Sequence, residues 1–219
     1  RNGTSTDGYC IYQSASSDNG GANIENNKFN DCTVAWKSGS SSNIFRDNTL
    51  KDNEYGVWFS GTEANNNLLY DNSFDDSGIA VYITNTAYDN NLYDNFFDDS
   101  DAYDIYLSDS YDTVSYNNTF SSISVASDAN MWIKVYIDVD VTDNSSNALS
   151  NVDLEIYQDN LVVYSTVYFG GSDSRTNDTG QISEFLVATS QYNGSSTPTS
   201  VITTVNARYS DWISSDTYN

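Results

Sequence analysis

Two evenly spaced series of carboxylates carry the first chemistry that this sequence suggests. Asp31, Asp52, Asp76 and Asp99 form one series; Asp47, Asp71 and Asp94 form the other, with Asn117 next in line. A pair of carboxylates can serve as the acid and base of glycoside hydrolysis. Carboxylates stacked at strand spacing also repel, and a hard cation bridging them relieves that repulsion. Calcium at Asp52, Asp76 and Asp99 is therefore the one cofactor the sequence leaves open. The plainer use of Asp at regular intervals is to cap turns, because its side chain bonds the nearby backbone.

Other chemistry is scarce. There is no His, which removes Ser-His-Asp triads, imidazole acid–base catalysis and His metal sites. One Met and two Cys make a soft-metal site a poor fit. No phosphate-binding glycine loop occurs. The basic residues Lys28, Lys37, Arg46 and Lys51 fall in no recognisable motif. The chain is thus read as non-enzymatic.

Aromatic side chains offer binding instead of catalysis. Trp58, Tyr82 and Tyr106 recur at one position of a repeat, and Tyr70, Tyr93 and Tyr116 at another, with Arg46 below them. Stacked aromatics can simply stabilise a sheet. They can also form a platform for sugars or an interface for protein.

The elements that position these residues follow from an internal period. Asn27, Asn48, Asn72, Asn95 and Asn118 each stand two residues before a large apolar side chain, at steps of 21, 24, 23 and 23. A second column contains Val34–Trp36, Val57–Phe59, Val81–Ile83 and Ile105–Leu107, with Cys10–Tyr12 as its first member. Within each unit apolar residues alternate, which is the period of a strand. Short strands recurring at this interval cannot each own a core. Stacked as about five coils of a solenoid, they share one. Identical Asn on successive coils can then bond amide to amide, since each amide both donates and accepts. Cys10 and Cys32 are nearly one period apart, and a bond between them implies an oxidising compartment.

The repeat pattern N-x-I/L-x-x-N-x-F followed by G-I/V-x-V/L resembles the right-handed parallel β-helix repeats of surface and periplasmic proteins, over about residues 8–125. The family includes polysaccharide-active enzymes and a copper-maturation type. The missing His and the poor supply of soft ligands depart from both chemistries.

After Phe120 the pattern changes. Ser121–Asn130 reads as a junction. Runs at Trp132–Val141, Val152–Tyr157, Leu161–Phe169, Ile182–Thr189 and Val201–Tyr209, separated by turn clusters, imply an antiparallel β-sandwich. The stretch IDVDVTDNSSNALSNVDLEIY…TNDTGQ resembles immunoglobulin-like, carboxypeptidase-regulatory-like modules, which have about seven strands where five are legible here. The expected organisation is all-β: a short parallel β-helix over 1–127 and an Ig-like sandwich over 131–219.

Composition fits an exposed, secreted protein. Formal charge is −23, with 26 Asp, 5 Glu and 28 Asn. Such a charge repels nucleic acid and anionic membranes, and no apolar run is long enough to span a bilayer. Sequons for N-glycosylation begin at Asn2, Asn117, Asn144, Asn177 and Asn193. The function expected from the sequence is a structural subunit of an extracellular filament, sheath or surface layer that assembles with copies of itself. The alternative is a carbohydrate-binding or adhesion module of a larger surface protein, with glycans as partners; a glycan-degrading enzyme using paired Asp ranks third.

Overall fold

The computed structural model describes residues 8–15, 20–210 and 212–218. Asn2 lies outside the described residues. Two compact units meet in the chain between Ile133 and Lys134, and Gln191–Thr199 belongs with the first. The second unit is therefore not the single stretch that spacing alone suggested.

The first unit winds in coils of three short strands. Coil one holds β1 (Tyr9–Gln13), β2 (Asn23–Glu25) and β3 (Lys28–Asn30). Coil two holds β4 (Val34–Ser38), β5 (Ile44–Arg46) and β6 (Thr49–Lys51). Coil three holds β7 (Tyr55–Ser60), β8 (Leu68–Tyr70) and β9 (Ser73–Asp75). Coil four holds β10 (Ile79–Tyr88), β11 (Asn91–Tyr93) and β12 (Phe96–Asp98). The last full coil begins with the long β13 (Tyr103–Tyr116). Each strand pairs in parallel with its counterpart one coil on, in three rows: β1-β4-β7-β10-β13, β2-β5-β8-β11-β13 and β3-β6-β9-β12.

Alternation sends one set of side chains inward. Trp36, Phe45, Leu50, Val57, Phe59, Leu69, Phe74, Ile83, Leu92, Ile105 and Leu107 are fully enclosed and form one core. Phe74 and Phe97 stack with ring centroids 4.9 Å apart. Phe120 is only half-buried, packing against that core. Where the wall turns, small residues keep the coils close. A Cβ at Gly56 would come within 2.5 Å of the Ala80 carbonyl and 2.8 Å of the Phe74 ring.

Two expectations need correction here. Tyr9 and Ile11, not Cys10 and Tyr12, align with Val34 and Trp36; Ile11 packs on the core while Tyr12 is 58% exposed. The next step departs the other way: Val34 pairs with Tyr55 and Trp36 with Val57, so Val34–Trp36 is not level with Val57–Phe59 as the column expected, and the first two steps are 25 and 21 residues. The coil pattern also does not stop at Phe120. A further strand, β14 (Ile123–Val125), pairs in parallel with β13, setting Ile105 beside Ile123 and Leu107 beside Val125, inside what read as a junction.

The second unit contains a four-stranded antiparallel sheet. After β15 (Ala129–Ile137) come β16 (Asp153–Gln158), β17 (Leu161–Ser165), β18 (Phe185–Asn193), β19 (Thr199–Ser200), β20 (Thr203–Tyr209) and β21 (Trp212–Tyr218), and the sheet order is β17-β16-β20-β21. Val152, Leu154, Ile156, Tyr164 and Ile182 form its core, with Val139, Val141 and Leu149 packed against them. The strand expected over Leu161–Phe169 ends at Ser165. A 3₁₀ turn follows over Val167–Phe169, closed by Gly170 at φ 94°. The strand expected from Trp132 to Val141 ends at Ile137, and beyond it Asp140 and Thr142 make only isolated bridges. β21 carried no signal that set it apart. A cleft of about 720 Å³ opens beside the sheet, lined by Val135, Ile137, Val139, Val141 and Val205 among others.

Candidate functional site: three outward columns

Every corner of the solenoid is turned by a residue in the left-handed region. Asn26, Asp47, Asp71, Asp94 and Asn117 occupy one corner, at φ 58°, 55°, 54°, 54° and 49°. Asp31, Asp52, Asp76 and Asp99 occupy the next, at φ 56°, 55°, 50° and 48°. Asp and Asn tolerate this conformation better than other residues bearing a Cβ. The two carboxylate series are thus coil corners. Among the described residues no group of three acidic or thiol side chains converges to hold a metal. The calcium assignment to Asp52, Asp76 and Asp99 has no such site behind it. One cation already stands there: Lys51 Nζ lies 2.5 Å from Asp75 and 3.5 Å from Asp76.

Carboxylates also face one another along the other corner. Burial pushes the Asp71 carboxyl above the ordinary range. Asp94 and Asp47 push it further, and Arg46 opposes them. Asn117 takes the next place in the column and donates its amide to Asp94.

The residue after each corner turns inward, and here the amides bond. Asn27 Nδ2 donates to Asn48 Oδ1 at 3.3 Å, Asn48 to Asn72 at 3.1 Å, Asn72 to Asn95 at 3.0 Å and Asn95 to Asn118 at 3.0 Å. A second ladder was not singled out from sequence. Asn43 donates to Asn67 and Asn67 to Asn90, both at 2.9 Å. Its members sit five positions before those of the first ladder and share its period, which was the available signal.

Three columns of side chains point outward, and each carries a cation on coil two, above Tyr12, Glu25 and Asn30 of coil one. Lys37, Trp58, Tyr82 and Tyr106 are in register on the first row. Lys37 Nζ lies 3.8 Å from the Trp58 ring centroid, a cation–π contact. Arg46, Tyr70, Tyr93 and Tyr116 are in register on the second row, and Arg46 pairs with Glu25. Lys51, Asp75 and Asp98 follow on the third.

The two aromatic columns differ in geometry. Tyr70–Tyr93 and Tyr93–Tyr116 have centroids 4.6 and 4.8 Å apart and planes within 5° and 4° of parallel. These distances match the spacing between strands, so the rings stand upright and cover one another's faces. Trp58–Tyr82 and Tyr82–Tyr106 are both 5.2 Å apart but inclined by 31° and 60°. Tyr55 and Tyr103 broaden this ribbon, at 5.5 Å from Trp58 and Tyr106 respectively. Inclined rings leave part of each face uncovered by their neighbours.

The remaining candidates are placed plainly. Cys10 and Cys32 form a disulfide. Asn117, Asn144, Asn177 and Asn193 are all exposed. The Asn177 amide oxygen accepts a bond from the hydroxyl of Thr179, the third residue of its own sequon.

Asp104 is a buried carboxylate that sequence reasoning missed. It is 2% exposed and takes the position held by Gly56 and Ala80 in earlier coils. It accepts bonds from the backbone N–H groups of Ser121 and Ser122, at 2.6 and 2.9 Å. The carboxylate so ties β13 to the segment leading into β14. Burial pushes its pKa up, while these N–H groups and the Ser121 hydroxyl outweigh that and hold it below the ordinary range.

Among the described residues no helix is long and apolar enough to cross a membrane. No match was found among curated proteins or solved structures. Residues 9–153, more than half of the chain, match the family described as a right handed beta helix region, and the chain belongs to that family.

Proposed function

We propose that the protein is a non-enzymatic structural subunit of an extracellular surface assembly, a filament, sheath or layer built from copies of itself. The observation that carries this reading is the stacking itself. The strands of each coil pair in parallel with those of the next in three rows, and Ile11, Ile24 and Phe29 of coil one belong to the apolar core that the coils share. A stack of parallel strands over one apolar core is an arrangement that strands of another chain can continue. A head-to-tail contact of this kind propagates unless its rotation closes a ring. The second unit, read as an open Ig-like sandwich, offers a further edge for such contacts. The disulfide supports a secreted location. Electron microscopy and size-exclusion chromatography of the full chain at native salt test the reading. Fibres or sheets support it, and a monomer that persists at high concentration overturns it.

A second reading rests on the Trp58 ribbon: adhesion to neutral glycans, since a chain of charge −23 repels acidic ones. Retention on polysaccharide affinity gels, lost in a Trp58→Ala/Tyr82→Ala variant and kept in Tyr70→Ala, would support it. No retention of the native chain on any neutral polysaccharide would remove it.

A further inference from the structure

We infer that Tyr70, Tyr93 and Tyr116 form a site for oxidative cross-linking, in which adjacent coils become joined by a dityrosine bond. The three residues sit on parallel strands in direct register. Their rings are stacked at 4.6 and 4.8 Å. All three are half-buried, on a wall whose inner side is fixed by the enclosed Leu69, Leu92 and Ser115. The Tyr70 carbonyl is also held by the Asn72 amide at 2.9 Å. Two phenols are thus kept side by side by a backbone that cannot drift apart, which raises their effective concentration far above that of phenols meeting in solution.

The chemistry balances with one co-reactant, hydrogen peroxide acting through a one-electron oxidant of the peroxidase class. Each phenol loses an electron and its hydroxyl proton, leaving a radical shared between oxygen and the ring carbons beside it. Two such carbons, one from each ring, form a carbon–carbon bond. Each then releases its hydrogen as a proton while the oxygen regains one, restoring both aromatic rings. The pair has lost two electrons and two protons, and the peroxide takes them up to become two waters.

Competing sinks for the oxidant are few. Both cysteines are already in the disulfide. The single Met, Met131, is fully enclosed. Tyr and Trp are therefore the side chains left to react. The Trp58 ribbon offers wider ring separations and steeper angles between planes, so the upright stack is the better-ordered coupling pair. Tyr93 belongs to both contacts, which makes it the residue that any link in this column must use.

The test treats the full, disulfide-intact chain with peroxidase and hydrogen peroxide at high dilution, followed by peptide mass spectrometry of the monomer fraction. The expected product is an intrachain link, lighter by two hydrogens, between the Tyr93 peptide and that of Tyr70 or Tyr116. Tyr93→Phe keeps a ring in the stack but has no phenol, and should lose the link. Tyr12→Phe, at an exposed position outside the column, should keep it. Tyr116→Phe should leave the Tyr70–Tyr93 product alone. The inference is overturned by links found only between separate chains, or by an intrachain yield that Tyr93→Phe leaves unchanged. It is equally overturned if coupling in the denatured chain shows the same Tyr93 selectivity as in the folded one.

Discussion

Asn72 and Asn95 are joined twice: the backbone N–H and the side-chain amide of Asn72 both donate to the Asn95 amide oxygen, at 3.1 and 3.0 Å. The same two donors on Asn48 reach Asn72. One side chain therefore satisfies a backbone group of the coil before it and continues its own amide into the coil after it. Asn72 also donates to the Phe45 and Tyr70 carbonyls, both at 2.9 Å, and is 2% exposed. Aspartate could copy its shape but not its donors.

Removing a rung should be costly in the middle and cheap at the end. Asn72→Ala leaves the Asn48 donors and the Phe45 carbonyl without their partner. Each orphaned buried group costs about 1–3 kcal/mol, so the total loss should be about 3 kcal/mol or more. Asn72→Asp should cost more than Ala at neutral pH, because it sets a carboxylate against carbonyl oxygens. Asn27→Ala, at an exposed position on coil one, should cost about 1 kcal/mol or less. Urea unfolding of the three variants checks the ranking. Equal losses for Asn27→Ala and Asn72→Ala would show that the ladder is not what holds the middle coils.

The ladder was legible because Asn recurs before a large apolar residue at a nearly constant step. The Asn43, Asn67 and Asn90 ladder obeys the same period and carries the same marker, two residues before Phe45, Leu69 and Leu92, but it spans only three coils, with Ala22 and Thr113 in the flanking places, so Asn there looked like ordinary turn chemistry. Register at the first coil was not legible. A one-residue change in step exchanges inward for outward, and no local residue type distinguishes Ile11 from Tyr12 as the inward one. β14 was missed for a related reason: the chain cuts its last coil short, and the device that permits this is the buried Asp104, a contact to Ser121 and Ser122 that no spacing rule contains. In the second unit, strict alternation over Trp132–Val141 read as one strand. Alternation reports which faces differ, not whether a partner strand is present to pair with, and the pairing stops at Ile137.

Salt should stabilise the solenoid without any special role for calcium. Between Lys51 and Lys134 the chain carries 15 acidic residues and no Lys or Arg. Their mutual repulsion is long-ranged at low ionic strength and is screened as salt rises, with a Debye length near 10 Å at about 0.1 M. The melting temperature should therefore climb with sodium chloride. Calcium at matched ionic strength should add nothing further, because Asp52, Asp76 and Asp99 do not converge with other carboxylates. Thermal unfolding with calcium, with chelator and with sodium chloride alone separates the two effects. A calcium-specific rise of several degrees would restore a metal site at the corners.

Two aspartates should set opposite signs on the pH dependence of stability. Asp104 has its folded pKa below the unfolded value, which lies near about 3.9. Burial raises it, but the bonds from Ser121 and Ser122 hold it down on balance. Its stabilising contribution is fully present above the unfolded pKa and is lost as pH falls through the folded one. Asp71 is the reverse. Burial raises its folded pKa first, then Asp94 and Asp47, so its ionised form opposes folding at neutral pH and that opposition fades as the carboxyl protonates. Asp104→Asn should lower the unfolding free energy at pH 7 by about 1–3 kcal/mol, the scale of hydrogen bonds to a charged group, and should flatten the fall in stability below about pH 4. Asp71→Asn should be neutral or stabilising at pH 7, with its advantage disappearing in acid. Urea titrations of both variants across this range give the two slopes directly. If Asp104→Asn keeps the full acid limb of the native chain, the carboxylate does not anchor the last coil, and another acid-sensitive group, with Asp153 bonded to Arg175 and Thr166 the next to test, must account for it.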